Sequence, residues 1–354
     1  MKKIRLKILV MIGGAMLLSS VWLHAQDVNN LNQSTNHGTD IQAAIDNANP
    51  GDVIELSNGT YTISNTIDVD KSLTIQGVSE AGVILDASGM MPVSQRVIET
   101  DADNITLRNF TIIPVTDPNP GPMNGGDVGF TIKAGANSGL TINSGLVLEN
   151  ITINGAERTP FDVHGVDDAT LTNLTANNTT NGNGINITGG SNIFISGFTG
   201  ANNAWGSIGI FASRFVNRPS SNVTIDGPTL AIDRPVYNQD DLNNFEGPDY
   251  VNTDIVVLDW CFTVTNPDFS PFGDSEEYTY YVPDEDSANN LADQLDDQMG
   301  TSSSVITPTE FGSCTLPAPL PIMGNTGKAA LMLMLLGFCV FFGYRRLLMT
   351  PSLG

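Results

Sequence analysis

Leu146-Val147-Leu148-Glu149-Asn150, followed by Ala169-Thr170-Leu171-Thr172-Asn173, is the stretch on which the fold turns. Each segment has apolar residues first and third, a polar one fourth and Asn fifth. Alternation with period two turns one face inward, and the closing Asn suits the left-handed conformation that bends the chain onto a new face. The same form recurs at Leu73-Thr74-Ile75-Gln76-Gly77, Ile105-Thr106-Leu107-Arg108-Asn109, Ile193-Phe194-Ile195-Ser196-Gly197 and Val223-Thr224-Ile225-Asp226-Gly227. Counted at the third residue of each, from Ile75 to Ile225, the separations are 32, 41, 23, 24 and 30. They equal one coil of roughly 20 to 25 residues, a coil with an insertion, or a double coil. Stacking such coils pairs their strands in parallel and piles Leu, Ile and Val into one core, with Thr and Asn of the turns forming inward ladders. The expected fold is therefore all-β, a parallel β-helix. A β-sandwich with evenly spaced strands would need hairpin turns of about two to five residues, and few occur here.

A second row supports the phasing: Phe130-Thr131-Ile132-Lys133, Phe161-Asp162-Val163-His164, Ile185-Asn186-Ile187-Thr188 and Ile208-Gly209-Ile210-Phe211. Aligned on their third residues, these repeat after 31, 24 and 23 positions. Ahead of the coils, Asp40 to Ala48 places apolar residues at helical spacing and stops at Asn49-Pro50-Gly51-Asp52, which predicts a short helix capping the open end of the solenoid. The segment from Ile41 to Tyr61 (IQAAIDNANPGDVIELSNGTY), taken with the coils to about residue 260, resembles the pectin-lyase-like superfamily of right-handed parallel β-helices. An acidic helical stretch from Asp284 to Met299, with Leu291, Leu295 and Met299 on one side, is expected to cap the far end.

The ends of the chain read as addresses. Residues 1–25 form a signal peptide, with Lys2, Lys3, Arg5 and Lys7 before the apolar run Ile8 to Leu23 and small Ala25 at the cut. Residues 329–344 (AALMLMLLGFCVFFGY) read as a transmembrane helix between Lys328 and Arg345-Arg346, which orients the body outside. With the preceding Leu316-Pro317-Ala318-Pro319-Leu320-Pro321, this tail resembles the PEP-CTERM-like sorting signals of bacterial envelope proteins, which implies a sorting protease as a partner. The expected layout is 1–25 signal peptide, 26–262 β-helix, 263–315 cap or appendage, and 316–354 anchor. Cys339 lies inside the apolar run, leaving Cys261 and Cys314 as a pair able to oxidise after export, or as two free thiols.

All 38 acidic residues lie between Asp27 and Glu310, where they meet only 8 of the 15 basic ones. An excess of that size repels phosphate backbones, so nucleic acid is not an expected partner. Asp68-Val69-Asp70 and Asp101-Ala102-Asp103 are candidate Ca²⁺ ligands between coils or plain turn carboxylates.

The resemblance implies chemistry on acidic polysaccharides, by Ca²⁺ with an Arg or Lys base or by paired aspartates. The best cluster for it lies on the outward positions of the second row. Asp162 and His164 stand two residues apart, with Lys133 one coil before and Asn186 one coil after, while Glu157, Arg158, Trp205 and Arg214 fall in nearby loops. A carboxylate, an imidazole and an amine on one face suit sugar or metal binding, and Trp205 suits stacking on a sugar ring. The plainer reading is an ordinary solvated face with an isolated histidine. Arg218-Pro219 and Arg234-Pro235 lack the second spaced Arg of pectate lyases, and the Asp and His set of polygalacturonases is missing. The expected function is non-catalytic, in surface adhesion, structure or glycan binding. A polysaccharide lyase or glycoside hydrolase is the alternative.

Overall fold

A computed structural model describes residues 26–90, 96–115, 130–135, 142–212, 218–240, 250–266, 278–299 and 304–309. The signal peptide, the apolar segment 329–344, Arg214 and Cys314 lie outside these residues. Among the described residues no helix is long and apolar enough to cross a membrane.

The six repeated segments stack as successive rungs. Ile54, Ile75, Leu107, Leu148, Leu171, Ile195, Ile225 and Val257 pair one above the next, and every one of these pairings is parallel. All eight side chains are buried. Each coil thus puts at least one aliphatic side chain into a shared interior, at about 1.5–3 kcal/mol per residue, and the alternating polar positions face out. This is a parallel β-helix.

Four of the six predicted residues build left-handed corners, while Gly77 and Gly227 close their rungs without a positive φ. Asn109, Asn150 and Asn173 have φ of 62°, 51° and 52°, and Gly197 has 65°. At Asn109 the continuous strand Thr106–Ile113 turns: its first half pairs with Thr74–Gly77 and its second half with Val83–Asp86, so one strand serves two faces. The Asn side chains stack, with Asn150 donating to Asn109 Oδ1 at 2.9 Å and Asn173 donating to Asn150 Oδ1 at 3.1 Å. This ladder runs along the half-exposed corner instead of the interior, because the left-handed residue turns its amide out of the alternation. A β-carbon at Gly197 would lie 2.4 Å from Asn173 Oδ1, so glycine ends the ladder.

A second sheet stacks Ile67–Val69, Ile98–Thr100, Ile132–Gly135, Phe161–His164, Asn183–Thr188, Gly206–Phe211 and Val236–Gln239, also in parallel. Its register corrects the sequence alignment. Ile132 pairs with Phe161, and Val163 pairs with Ala134, two residues from the expected match. A slip of two leaves every side chain on its own face, so the apolar pattern is blind to it.

Both ends are closed. The helix Ile41–Asn47 starts at Asp40, whose side chain accepts from Ala43 N at 2.9 Å. Its Gln42 amide donates to Asp68 O at 3.1 Å and accepts from Asp68 N at 2.9 Å, imitating one more strand at the sheet edge. At the far end the expected appendage adds antiparallel strands, Tyr278–Val282 on Val236–Gln239, then Phe262–Asn266 and Val305–Pro308. The helix Glu285–Met299 packs there through Ala288, Ala292 and Leu295, against Tyr237, Val264, Tyr278 and Tyr280.

Candidate functional site

The outer face of the second sheet is not an ordinary solvated one. On the strands Ile132–Gly135 and Phe161–His164 the alternation of exposed and buried residues disappears, although Lys133 and Asp162 both point away from the aliphatic interior. Lys133 is 6% and Asp162 4% exposed. The corrected register sets them directly one above the other, and the Lys133 ammonium donates to Asp162 Oδ2 at 2.8 Å. Neither charge could be held so far from water without the other. Lys133 Nζ also lies 3.3 Å from His164 Nδ1.

The Phe130 ring, just before the first of these strands, takes Lys133 Nζ at 5.2 Å and Arg158 Cζ at 4.8 Å from its centroid. Its negative face lets two cations gather beside one carboxylate. Burial by itself would raise the Asp162 carboxyl; the charges of Lys133, His164 and Arg158, with the Lys133 hydrogen bond, outweigh that and hold it below its ordinary value.

The column continues upward as Asn186, Gly209 and Tyr237. Asn183 reaches across it, donating to Asn186 Oδ1 at 2.7 Å and to the Tyr237 hydroxyl oxygen at 2.9 Å. Glycine is needed at 209, since a β-carbon there would lie 2.5 Å from Asn183 Nδ2. Burial pushes the Tyr237 phenol well above its ordinary value, so it stays protonated, with the Asn183 hydrogen bond opposing that rise. The result is a polar, largely dry floor of Lys133, Asp162 and Asn186, with half-buried Phe130, Arg158 and His164 beside it.

No protein-family model matches this chain, and no curated protein matches it closely. Among solved structures, ORF18 of Geobacillus virus E2 aligns over 62% of this chain and 43% of its own, at 14% identity and a TM-score of 0.42. The catalytic unit of a GH87 α-1,3-glucanase from Streptomyces thermodiastaticus aligns over 62% and 36%, at 19% identity and 0.37. Pectin methylesterase from Yersinia enterocolitica aligns over 62% and 90%, at 12% identity and 0.31. The chain spans less than half the length of the first two. The fold assignment rests on the parallel pairing itself.

Of the residues singled out in the sequence, the structure brings together Lys133, Asp162, His164 and Arg158, with Asn186 next on the column. Glu157 stands beside Arg158 on the loop that enters this sheet. Trp205 stands on the equivalent loop two coils on, its backbone N–H donating to Gly182 O at 3.1 Å. A β-carbon at Gly182 would lie 2.7 Å from Thr159 N, so glycine lets the two loops approach closely. Phe130, Asn183 and Tyr237 were not singled out. Phe130 was visible only as an aromatic just before Lys133.

The neighbouring acidic residues serve the coils. Asp167 is ion-paired with Arg218, and Asp168 accepts from Asn192 Nδ2 at 3.0 Å. Asp101 accepts from Asn143 Nδ2 at 3.3 Å and Asp103 from Ser144 N at 2.8 Å, each bridging to the next coil. Among the described residues no group of three or more His, Cys, Asp or Glu is placed to hold a metal ion. Cys261 is disulfide-bonded, to a partner outside the described residues.

Proposed function

We propose that this is an exported, envelope-anchored β-helix protein that binds an acidic polysaccharide on the Lys133, Arg158 and His164 face. One observation carries the reading: in a chain with a net charge of −23, two cations and the one histidine of the coils converge on a single carboxylate. An incoming carboxylate would meet these cations, and the dry floor strengthens each contact. Binding is favoured over catalysis by the hydrogen-bond roles. Lys133 donates to Asp162, and an ammonium so held lacks the lone pair that abstraction of a proton from a uronate requires.

Titrating the purified protein with polygalacturonate and with a neutral glucan tests this. Binding of the polyuronate is expected to weaken with salt and to fall at least about tenfold in Arg158→Gln, with the neutral polymer bound more weakly throughout. Equal binding of both polymers would sink the proposal. Ultraviolet absorbance from an unsaturated product, abolished by His164→Ala, would replace it with a lyase.

A further inference from the structure

We infer that Asn181-Gly182 is a site of spontaneous deamidation, which sets a new carboxylate on the loop against Arg158 and, resting on the binding reading above, weakens capture of an anionic sugar. The reaction needs only water. The Gly182 amide nitrogen loses its proton and attacks Asn181 Cγ, forming a new N–C bond; the Cγ–Nδ2 bond breaks and ammonia leaves, giving a cyclic succinimide. Water then opens that ring at either carbonyl, yielding aspartate or isoaspartate. Glycine favours the step because no side chain shields its nitrogen.

Four Asn-Gly pairs lie among the described residues, and the fold holds three of them. At Asn58-Gly59 the side-chain oxygen accepts from Ser79 Oγ at 3.0 Å, and the glycine N–H donates to Gly82 O at 2.8 Å. At Asn154-Gly155 the corresponding partners are Asn177 Nδ2 at 2.9 Å and Asn177 O at 2.8 Å. Asn183, before Gly184, is wholly buried and donates to Asn186 and Tyr237. Attack at any of these breaks hydrogen bonds first. The half-buried Asn181 lies in the loop ahead of the strand Asn183–Thr188, and neither its side-chain amide nor the Gly182 N–H is hydrogen-bonded to a described residue. The same loop places the product, since a β-carbon at Gly182 would lie 3.3 Å from the Arg158 carbonyl carbon. A carboxylate beside that position repels an incoming polyuronate, and isoaspartate also lengthens the backbone where the two loops touch.

Incubating the full chain at mildly alkaline pH and mapping its peptides by mass should show a gain of about 1 Da at Asn181, while Asn58, Asn154 and Asn183 stay amides. The rate should rise with pH, because the attacking nitrogen must first lose a proton. Asn181→Gln, whose longer side chain closes a less favourable ring, should stay unmodified at this position and keep the fresh protein's affinity for polygalacturonate. The converted protein and Asn181→Asp should both bind polygalacturonate more weakly, by at least about threefold. An Asn181 amide that survives, or faster conversion at one of the three held asparagines, overturns the inference. Unaltered affinity after conversion overturns it as well. No binding by the fresh protein sinks the binding reading instead, and the mass map still decides the modification.

Discussion

The two outer faces of the helix are built from the same coils by the same alternation, yet they differ in how they meet water. On the long sheet, Arg108 and Glu149 sit one rung apart with side chains 40% and 36% exposed, their charges 3.8 Å apart. On the second sheet, Lys133 and Asp162 sit one rung apart in equivalent outward positions and are nearly inaccessible. The first pair is solvated and its loss is absorbed by water; the second is a desolvated charge pair that the fold must satisfy. The coil therefore decides which residues face inward, and a separate influence decides which outward face becomes a site.

The largest expected effect breaks this contrast directly. Lys133→Met leaves Asp162 buried without its cation and should cost about 3–5 kcal/mol, whereas Arg108→Met on the other sheet should cost under about 1 kcal/mol. Denaturant unfolding of the two variants measures the difference, and equal losses would show that the faces are equivalent. Adding Asp162→Leu to Lys133→Met should recover most of the stability, since the buried charge is then gone.

Acid sharpens the comparison. The Asp162 carboxyl is held below its ordinary 3.8 in the folded protein. A depressed folded value means that its stabilisation is present above the unfolded value and is lost as pH falls through the folded one. Thermal scans below about pH 4 should therefore show a steeper acid loss in the unmutated protein than in Asp162→Asn.

The corner ladder gives a smaller effect. Asn150→Ala removes the hydrogen bonds to Asn109 and Asn173 and forces alanine to a φ of 51°, for a loss of about 1–2 kcal/mol. Asn150→Gly removes the same bonds without the backbone strain. Comparing the two by chemical denaturation separates ladder from turn.

Much of the fold was legible before any coordinates. The six segments named their own inward residues, because period-two alternation is local and the left-handed Asn that closes a rung is a single-residue preference. The capping helix was legible for the same reason, with Asp40, Ile41, Ala44 and Ile45 in their places. The antiparallel strands from Phe262 onward were not, since Thr263, Val264 and Thr265 carry no repeat and pair only with strands brought there by the last coils.

The candidate site was half legible. Outward alternation placed Asp162, His164 and Lys133 on one face, but the aligned repeats set Lys133 beside His164, one pair of residues out of step. Phe130 and Asn183 gave no signal of their own. The first matters for the ring it offers two cations, the second for an amide that spans the gap left by Gly209.

By itself, the sequence determined a coiled solenoid with one aliphatic interior, because each rung repeats a local pattern that has a single inward face. Only the tertiary structure decided that Lys133 stands beneath Asp162 and that both are withdrawn from water. A slip of two residues leaves every face unchanged, and the desolvation of a charge depends on segments far apart in the chain meeting over it.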